Sequence, residues 1–356
     1  MNGVVSSWLT HFKKYFFRYS DGFYEFPYIA NSPQLTLDSI KGMPFIKSYP
    51  EKDYYTINNP FIKGDCYYRE VEKDLWVIMS DLEFKKNVSF KLYYDSMVPA
   101  GYHFLTLHVN KAKTRVNLPK INVDIENIDK SWTLFKAGAK AINTHFKGEK
   151  SIFFTIYFSN DWMEKHIASK GTLSSNALSD FFSSEDNCLF LPGFMEDDKN
   201  SYQPILDSLL SVEEENDPLL LKIRTLQLIA SFVNKLDAEN RMKPSINISE
   251  KNRRKLLKAA HIIDQSILDP FPSILAISKN VGMSETLLKK EFKEMYGVTM
   301  FNYHTIQKMN HALKLFENEK VNVKDVAYSL GYNSQSKFSS AFKKVHGKLP
   351  SESMTN

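Results

Sequence analysis

The sequence predicts an α+β protein: an N-terminal mostly-β domain, barrel-like or a sandwich, then a helical linker region, then an all-α domain with two helix-turn-helix motifs. Three observations predict it. Short runs rich in Val, Ile, Phe, Tyr and Thr recur through the first 160 residues. Apolar residues at spacings of 4 and 3 follow near residue 219, and one pattern repeats at a period of 50 residues between Ile277 and Gly347. The expected domains are residues 1–160, 161–243 and 244–356. A chain of 356 residues, 43% of them hydrophobic, has enough material for two or three such cores.

In the first domain, strands are expected at Leu75–Met79, Asn87–Tyr94, His103–Val109, Arg115–Val123 and Ser151–Phe158. The turn-forming residues Asp81, Asp95, Pro99 and Gly101 and the stretch Lys111–Thr114 separate them. Between Ser131 and Phe146, the helical spacing of Trp132, Phe135, Ala139, Ile142 and Phe146 predicts a helix interrupting the strands. The region is very aromatic, with Tyr54, Tyr55, Tyr67, Tyr68, Trp76, Tyr93 and Tyr94 among its rings. Such rings build a core, and equally the wall of a pocket for a small molecule, though the sequence singles out no ligand-binding residue.

No chemistry-bearing constellation stands out. His103 and His108 are separated by five residues, so a strand puts them on opposite faces and no metal site is expected there. There is no Gly-rich phosphate loop, HExxH or nucleophile elbow; no catalytic residue, metal or cofactor is expected, and the chain is read as a non-enzyme. Cys66 and Cys188 give neither a disulfide framework nor a metal spacing. No apolar run approaches a membrane span, and Ser6, Ser7, Thr10 and His11 break up residues 1–17, so a cytoplasmic protein is expected.

In the linker region, Glu196–Asp198 and Glu213–Asp217 are acidic runs of the kind found in solvated loops and helix starts. Beyond Pro218, the residues Leu219, Ile223, Leu226, Ala230 and Val233 form a helical seam. It packs either within its own chain or against a second copy, which would make 219–233 a homodimer surface. Arg241–Ser249 reads as the connection to the last domain.

The last domain opens with a helix at Arg253–Ile267, with Leu256, Leu257, Ala260, Ile263 and Ile267 inward, stopped by Asp269, Pro270 and Pro272. Ser273 is placed to cap the next helix. Then comes the duplicated pattern. Ser284 is followed by Leu288, Phe292, Lys293 and Gly297, and Ser334 by Phe338, Phe342, Lys343 and Gly347. Each copy follows a short apolar segment ending in glycine, Ile277–Gly282 and Val326–Gly331, and that glycine permits the positive φ a tight inter-helix turn needs. A helix at Phe301–Glu317, with Ile306, Met309, Leu313 and Phe316 on one face, joins the copies; at 1.5 Å per residue it spans roughly 25 Å. Such a spacer brings two recognition helices near the ~34 Å of one DNA turn.

If Leu288, Phe292, Phe338 and Phe342 face the core, the outward face near each helix start is set. It holds Ser284, Glu285, Thr286, Lys289 and Lys290 in the first copy, and Gln335, Ser336, Lys337 and Ser340 in the second. Gln suits adenine, Lys can donate to guanine, and Ser or Thr serves several bases. Lys293, Lys343 and Lys344 lie farther along and suit phosphates. Charge agrees with this division: from Pro244 onward there are 17 Lys+Arg against 10 Asp+Glu, or +7, leaving 29 against 31, or −2, for the first 243 residues.

The segment Gly331–Gly347 (GYNSQSKFSSAFKKVHG), followed by Leu349, Pro350, Ser351 and Glu352, resembles the signature of the AraC/XylS family of bacterial transcription regulators. Met283 and Ser284 through Gly297 resemble the family's less regular first motif, and the likeness covers residues 253–354. Lys308 stands where the family commonly has arginine, Ser278 where alanine is usual, and Met354 where an arginine often follows. The resemblance implies a sequence-specific regulator that binds double-stranded DNA in two successive major-groove turns, most often an activator that contacts RNA polymerase. It also implies an N-terminal domain that senses a small-molecule effector, and dimerising helices near the linker. A DNA-targeted enzyme and a helical protein–protein adaptor are the alternatives; the missing catalytic constellation disfavours the first and the segregated basic charge the second.

Overall fold

Strands in the first half alternate buried and exposed residues because one sheet face meets another. The computed structural model describes residues 19–20, 22–41, 45–117, 122–140, 142–168, 175–192, 218–240 and 248–354. The acidic runs at Glu196–Asp198 and Glu213–Asp217 and most of Arg241–Ser249 lie outside them. The chain divides into two units, one of residues 1–111 and 129–245, the other of residues 112–128 and 246–356.

The first unit contains β1 (Tyr19–Ser20), β2 (Phe23–Ile29), α1 (Pro33–Lys41), β3 (Ile46–Tyr49), β4 (Tyr54–Asn58), β5 (Ile62–Glu72), β6 (Leu75–Phe84) and β7 (Val88–Tyr93). The long strands β8 (Tyr102–Asn117) and β9 (Asn122–Phe135) follow, belonging to this unit up to Lys111 and from Asp129, then β10 (Ile142–His145) and β11 (Lys150–Ser159). After α2 (Asn160–Met163) and α3 (Asn176–Ser183) come β12 (Cys188–Pro192) and α4 (Pro218–Asn240). An eight-stranded sheet has the order β12-β9-β8-β11-β6-β5-β4-β3, and a four-stranded one the order β1-β2-β7-β10. Only the β2–β7 pair of the smaller sheet is parallel.

The centre of the large sheet is covered on both faces, which explains the almost unbroken apolar run from Ile152 to Phe158. Ring contacts join the two sheets: Phe84 meets Phe90 with centroids 6.2 Å apart, and stacks on His145 at 4.5 Å. The helices pack on the large sheet as well. Phe232 of α4 lies against Trp132, with centroids 5.5 Å apart, and Lys222 bonds Glu72 at 2.6 Å. Trp162 donates its indole N–H to that same carboxylate at 2.9 Å. His103 and His108 lie on opposite faces, the first paired with Phe158 and the second with Phe153 in the β8–β11 register.

Several expectations are corrected. Ser131–Phe146 is not a helix: β9 runs to Phe135, Gly138 turns the chain at φ +80°, and β10 begins at Ile142. Two strand ends separated by a turn happened to place apolar residues at helical intervals, while Trp132 and Leu134 alternate as β9 pairs with Leu191 and Leu189 of β12. Arg115–Val123 is likewise no single strand, since its first residues end β8 and its last begin β9. Helix α1 and strand β12 carried no strong periodic signal. The seam on α4 is turned the other way. Leu219 is 62% exposed and Ile223 43%, Leu226 and Ala230 are half-buried, and only Val233 is buried. The face packed on the first unit is Leu221, Leu228, Ile229, Phe232 and Leu236.

In the second unit, α5 (Glu250–Asp264) is followed by α6 (Ile274–Val281), α7 (Glu285–Tyr296), α8 (Met300–Asn318), α9 (Val323–Ser329) and α10 (Gln335–His346). Side-chain oxygens cap all of these starts: Ser249 for α5, Ser273 for α6, Ser284 for α7, Thr299 for α8, Asn322 for α9 and Ser334 for α10. The 19-residue joining helix α8 is buried over more than the expected stripe. Tyr303, Gln307, Lys308, Met309, His311, Ala312, Leu315 and Phe316 are buried, whereas Ile306 and Leu313 are half-buried. A helix that packs against both motifs needs contact surface around most of its girth.

Candidate nucleic-acid interface

Helices α7 and α10 are held by the same device. Leu288 and Phe292 of α7, and Phe338 and Phe342 of α10, are fully buried. Four apolar anchors at i and i+4 fix which faces remain outward. Ser284 accepts from the Leu287 N–H at 3.4 Å and Ser334 from the Lys337 N–H at 3.3 Å, and both helices end on a left-handed glycine, Gly297 and Gly347. Gly282 and Gly331, at φ +65° and +79°, make the tight turns just ahead of them.

The outward residues all reach solvent. Thr286, Lys289, Lys290 and Lys293 are exposed on α7, with Ser284 exposed and Glu285 half-exposed at its start. Gln335, Ser336, Lys337, Ser340, Lys343 and Lys344 are exposed on α10. Two of these side chains are partly committed to their own helix. The Ser284 hydroxyl is the N-cap, and the Ser340 hydroxyl donates to the Ser336 carbonyl at 2.9 Å.

The two faces differ in charge. On α7, Lys289 lies 3.9 Å from Glu285 and Lys290 3.9 Å from Glu294, both i,i+4 pairs open to solvent. Glu291 further balances Lys293, so α7 is neutral overall. Helix α10 carries Lys337, Lys343 and Lys344 and no acid. One residue escaped the sequence reading. Leu287, 38% exposed, flanks Lys290 on the open face, on the side away from Thr286. The signal was present: of the adjacent pair Leu287 and Leu288, a helix can turn only one to the core.

Comparison with known proteins bears on this unit. The family profile described as "Helix-turn-helix domain" matches residues 277–356. The chain is similar to the histidine kinase P4 of Formosa agariphila, 28% identical over 127 residues, 36% of this chain and 9% of that one. It is similar to the HTH-type transcriptional regulator ExsA of Pseudomonas aeruginosa, 25% identical over 141 residues, 39% of this chain and 49% of the other. It is also similar to the arabinose operon regulatory protein of Escherichia coli, 24% identical over 98 residues, 28% of this chain and 34% of that one. Residues 277–356 form an AraC-type helix-turn-helix domain. The chain spans less than half the length of each of these relatives.

The AraC-type domain holds its second tight turn with a buried lysine. Lys308, 7% exposed on α8, donates to the Leu330 carbonyl at 2.8 Å, one residue before Gly331. The first turn has a counterpart on α5, where Lys255 reaches the Gly282 carbonyl at 2.5 Å and Lys258 the Asn280 carbonyl at 2.9 Å. The role of Lys308 is therefore internal to the domain. Its burial lowers the pKa of the ammonium, with Asp269 opposing the shift. Lys308→Met leaves the Leu330 carbonyl without its donor but also removes a charge from a buried place. The expected net cost is about 1–2 kcal/mol, read as a lower urea midpoint for loss of helical dichroism at unchanged slope.

In the first unit, a cavity of about 160 Å³ lies between the two sheets. Phe26 and Phe90 of the small sheet and Phe104 and Phe153 of the large one line it, together with the phenols Tyr55 and Tyr157. Among the described residues, no group of three or more His, Cys, Asp or Glu side chains is arranged to hold a metal ion, and no helix is long and apolar enough to cross a membrane.

Proposed function

We propose that the protein is a sequence-specific, DNA-binding transcription regulator of the cytoplasm, an activator that contacts RNA polymerase and responds to a small molecule held in its N-terminal unit. The observation that carries this reading is the pair of capped, lysine-bearing helices α7 and α10, presented by one AraC-type domain with the same face outward. In the reading, each helix enters a major groove, one DNA turn apart. Thr286, Lys290, Gln335, Ser336 and Lys337 meet base edges, while Lys293, Lys343 and Lys344 meet phosphates. The cavity between the sheets supports a ligand-responsive first unit. The exposed Leu219, Leu220 and Ile223 on α4 support a surface for a second copy within 219–233.

Selection of bound duplexes from a random pool by the full-length protein tests this. The expected outcome is enrichment of two short motifs about 10 base pairs apart, and for a dimer a second such pair in the same sites. A pool that stays random with and without cell-extract small molecules would refute the reading. On a selected site, Lys337→Ala should weaken binding and relax base preference at one position, by about 1–3 kcal/mol. Lys344→Ala should weaken all sequences alike and lower the slope of log K against log salt by about one unit. Parent-like binding by both variants would remove α10 from the interface.

A further inference from the structure

The cavity in the first unit has walls of one chemical kind. In the β11 registers with β6 and β8, Phe153 lies beside Ser80, Thr155 beside Ile78 and Thr106, and Tyr157 beside Phe104, and each of these residues lines the cavity. The same face of the large sheet thus offers a belt of hydroxyls set among rings. The Thr106 and Thr155 hydroxyls meet each other at 3.1 Å, and the Ser80 hydroxyl meets the Cys66 thiol at 3.1 Å. Opposite them, the small sheet contributes Asn143 and His145.

Among the described residues, no Lys, Arg, Asp or Glu lines the cavity. The imidazoles at its edge do not supply charge either. Burial pushes His108 down to about 4, and burial together with His108 holds His145 well below its ordinary value. The carboxyl of Glu149, 3.8 Å from His145, is itself pushed up to about 7 by burial. Lys41, on α1, is engaged by the Tyr68 hydroxyl at 2.6 Å and is not among the lining residues. The cavity's own phenols show what an anion meets there. Burial holds Tyr28 and Tyr55 well above the usual phenol range, and Tyr157 at about 12. A ligand carboxylate would lose its hydration and find no cation to pair with among the described lining residues.

We propose that this cavity binds an uncharged molecule of one or two rings, carrying a hydroxyl or carbonyl that hydrogen-bonds the Thr106–Thr155 hydroxyl pair. Size agrees, because a dry cavity of about 150 Å³ accommodates benzene. The inference rests on the reading of the first unit as ligand-responsive, and names the class of ligand that it takes. His145 lines the same cavity, its Nδ1 turned toward the Glu149 carboxyl 3.8 Å away.

The experiment is isothermal titration of the full-length protein near neutral pH with 2-naphthol and 2-naphthoate, two probes that share a skeleton and differ in charge. Saturable one-to-one binding of the naphthol is expected, with the naphthoate weaker by about tenfold or more. Two variants place the site: Thr155→Val removes a hydroxyl at constant shape, and Ser80→Leu fills volume. Both are expected to weaken naphthol binding several-fold, with parental circular dichroism and tryptophan emission showing that they fold. Naphthoate binding as tight as naphthol would overturn the ligand class while leaving the ligand-responsive reading standing. Binding of neither probe would overturn both. Naphthol binding that neither variant changes would overturn the assignment to this cavity.

Discussion

Phe338→Ala is expected to destabilise the second unit by about 3–5 kcal/mol, enough to lower its thermal midpoint by about 10 °C or more. The ring is fully buried and meets three others, with centroids 6.2 Å from Phe316, 5.5 Å from Tyr332 and 5.9 Å from Phe342. Its neighbours Met309, Ala312 and Leu315 of α8, and Val326, Ala327 and Leu330 in and at the end of α9, are also fully buried. A void left there cannot be closed by moving one side chain, so both the lost transfer energy and the cavity add to the cost. All four tryptophans lie within the first 162 residues, so tryptophan emission follows the first unit alone. Loss of dichroism at 222 nm should move to lower temperature while the emission transition stays put. The exposed Lys348→Ala control should shift neither by more than about 0.5 kcal/mol. An unchanged dichroism midpoint in Phe338→Ala would show that α10 is not packed as described.

Gly64→Ala should have the opposite signature, disrupting the first unit and sparing the second. Strands β5 and β6 cross here with Gly64 paired to Leu82. A Cβ on Gly64 would fall 2.0 Å from the Asp81 carbonyl oxygen and 3.0 Å from the Leu82 Cα, both backbone atoms. Its φ of +156° is also one that residues with a side chain rarely adopt. Neither neighbour can swing away as a side-chain end could, so the strands themselves must part near the start of the β5–β6 pairing. A cost of at least about 3 kcal/mol is expected, in the range reserved for strained backbone and overpacked cores. Urea titration should show the tryptophan transition at markedly lower denaturant while the helical dichroism of the second unit is retained. Parental emission and midpoint in the alanine variant would mean that the strands do not approach so closely.

The sequence by itself determined most of the second unit. Its information is local: a capping serine, apolar residues at i and i+4, and a glycine whose positive φ ends the helix are neighbours in the chain, so Ser284, Leu288, Phe292 and Gly297 could be read together. The duplication doubled the signal, and the outward face followed once Phe338 and Phe342 were assigned to the core. In the first unit it determined that strands were there, because β-branched and aromatic runs are also local. The tertiary structure decided what those strands do. Which residues share a face across β6, β11 and β8 depends on register, and register is a relation between residues 39 to 83 positions apart. The belt of Ser80, Thr106 and Thr155, and its setting among uncharged described residues, could therefore not be read from spacing. The same holds for the helix expected at Ser131–Phe146, where a turn at Gly138 imitated helical periodicity, and for α4, whose seam was visible while its buried side was not. Periodicity reveals that an element has an apolar face, but only the partner lying against it decides which face is covered.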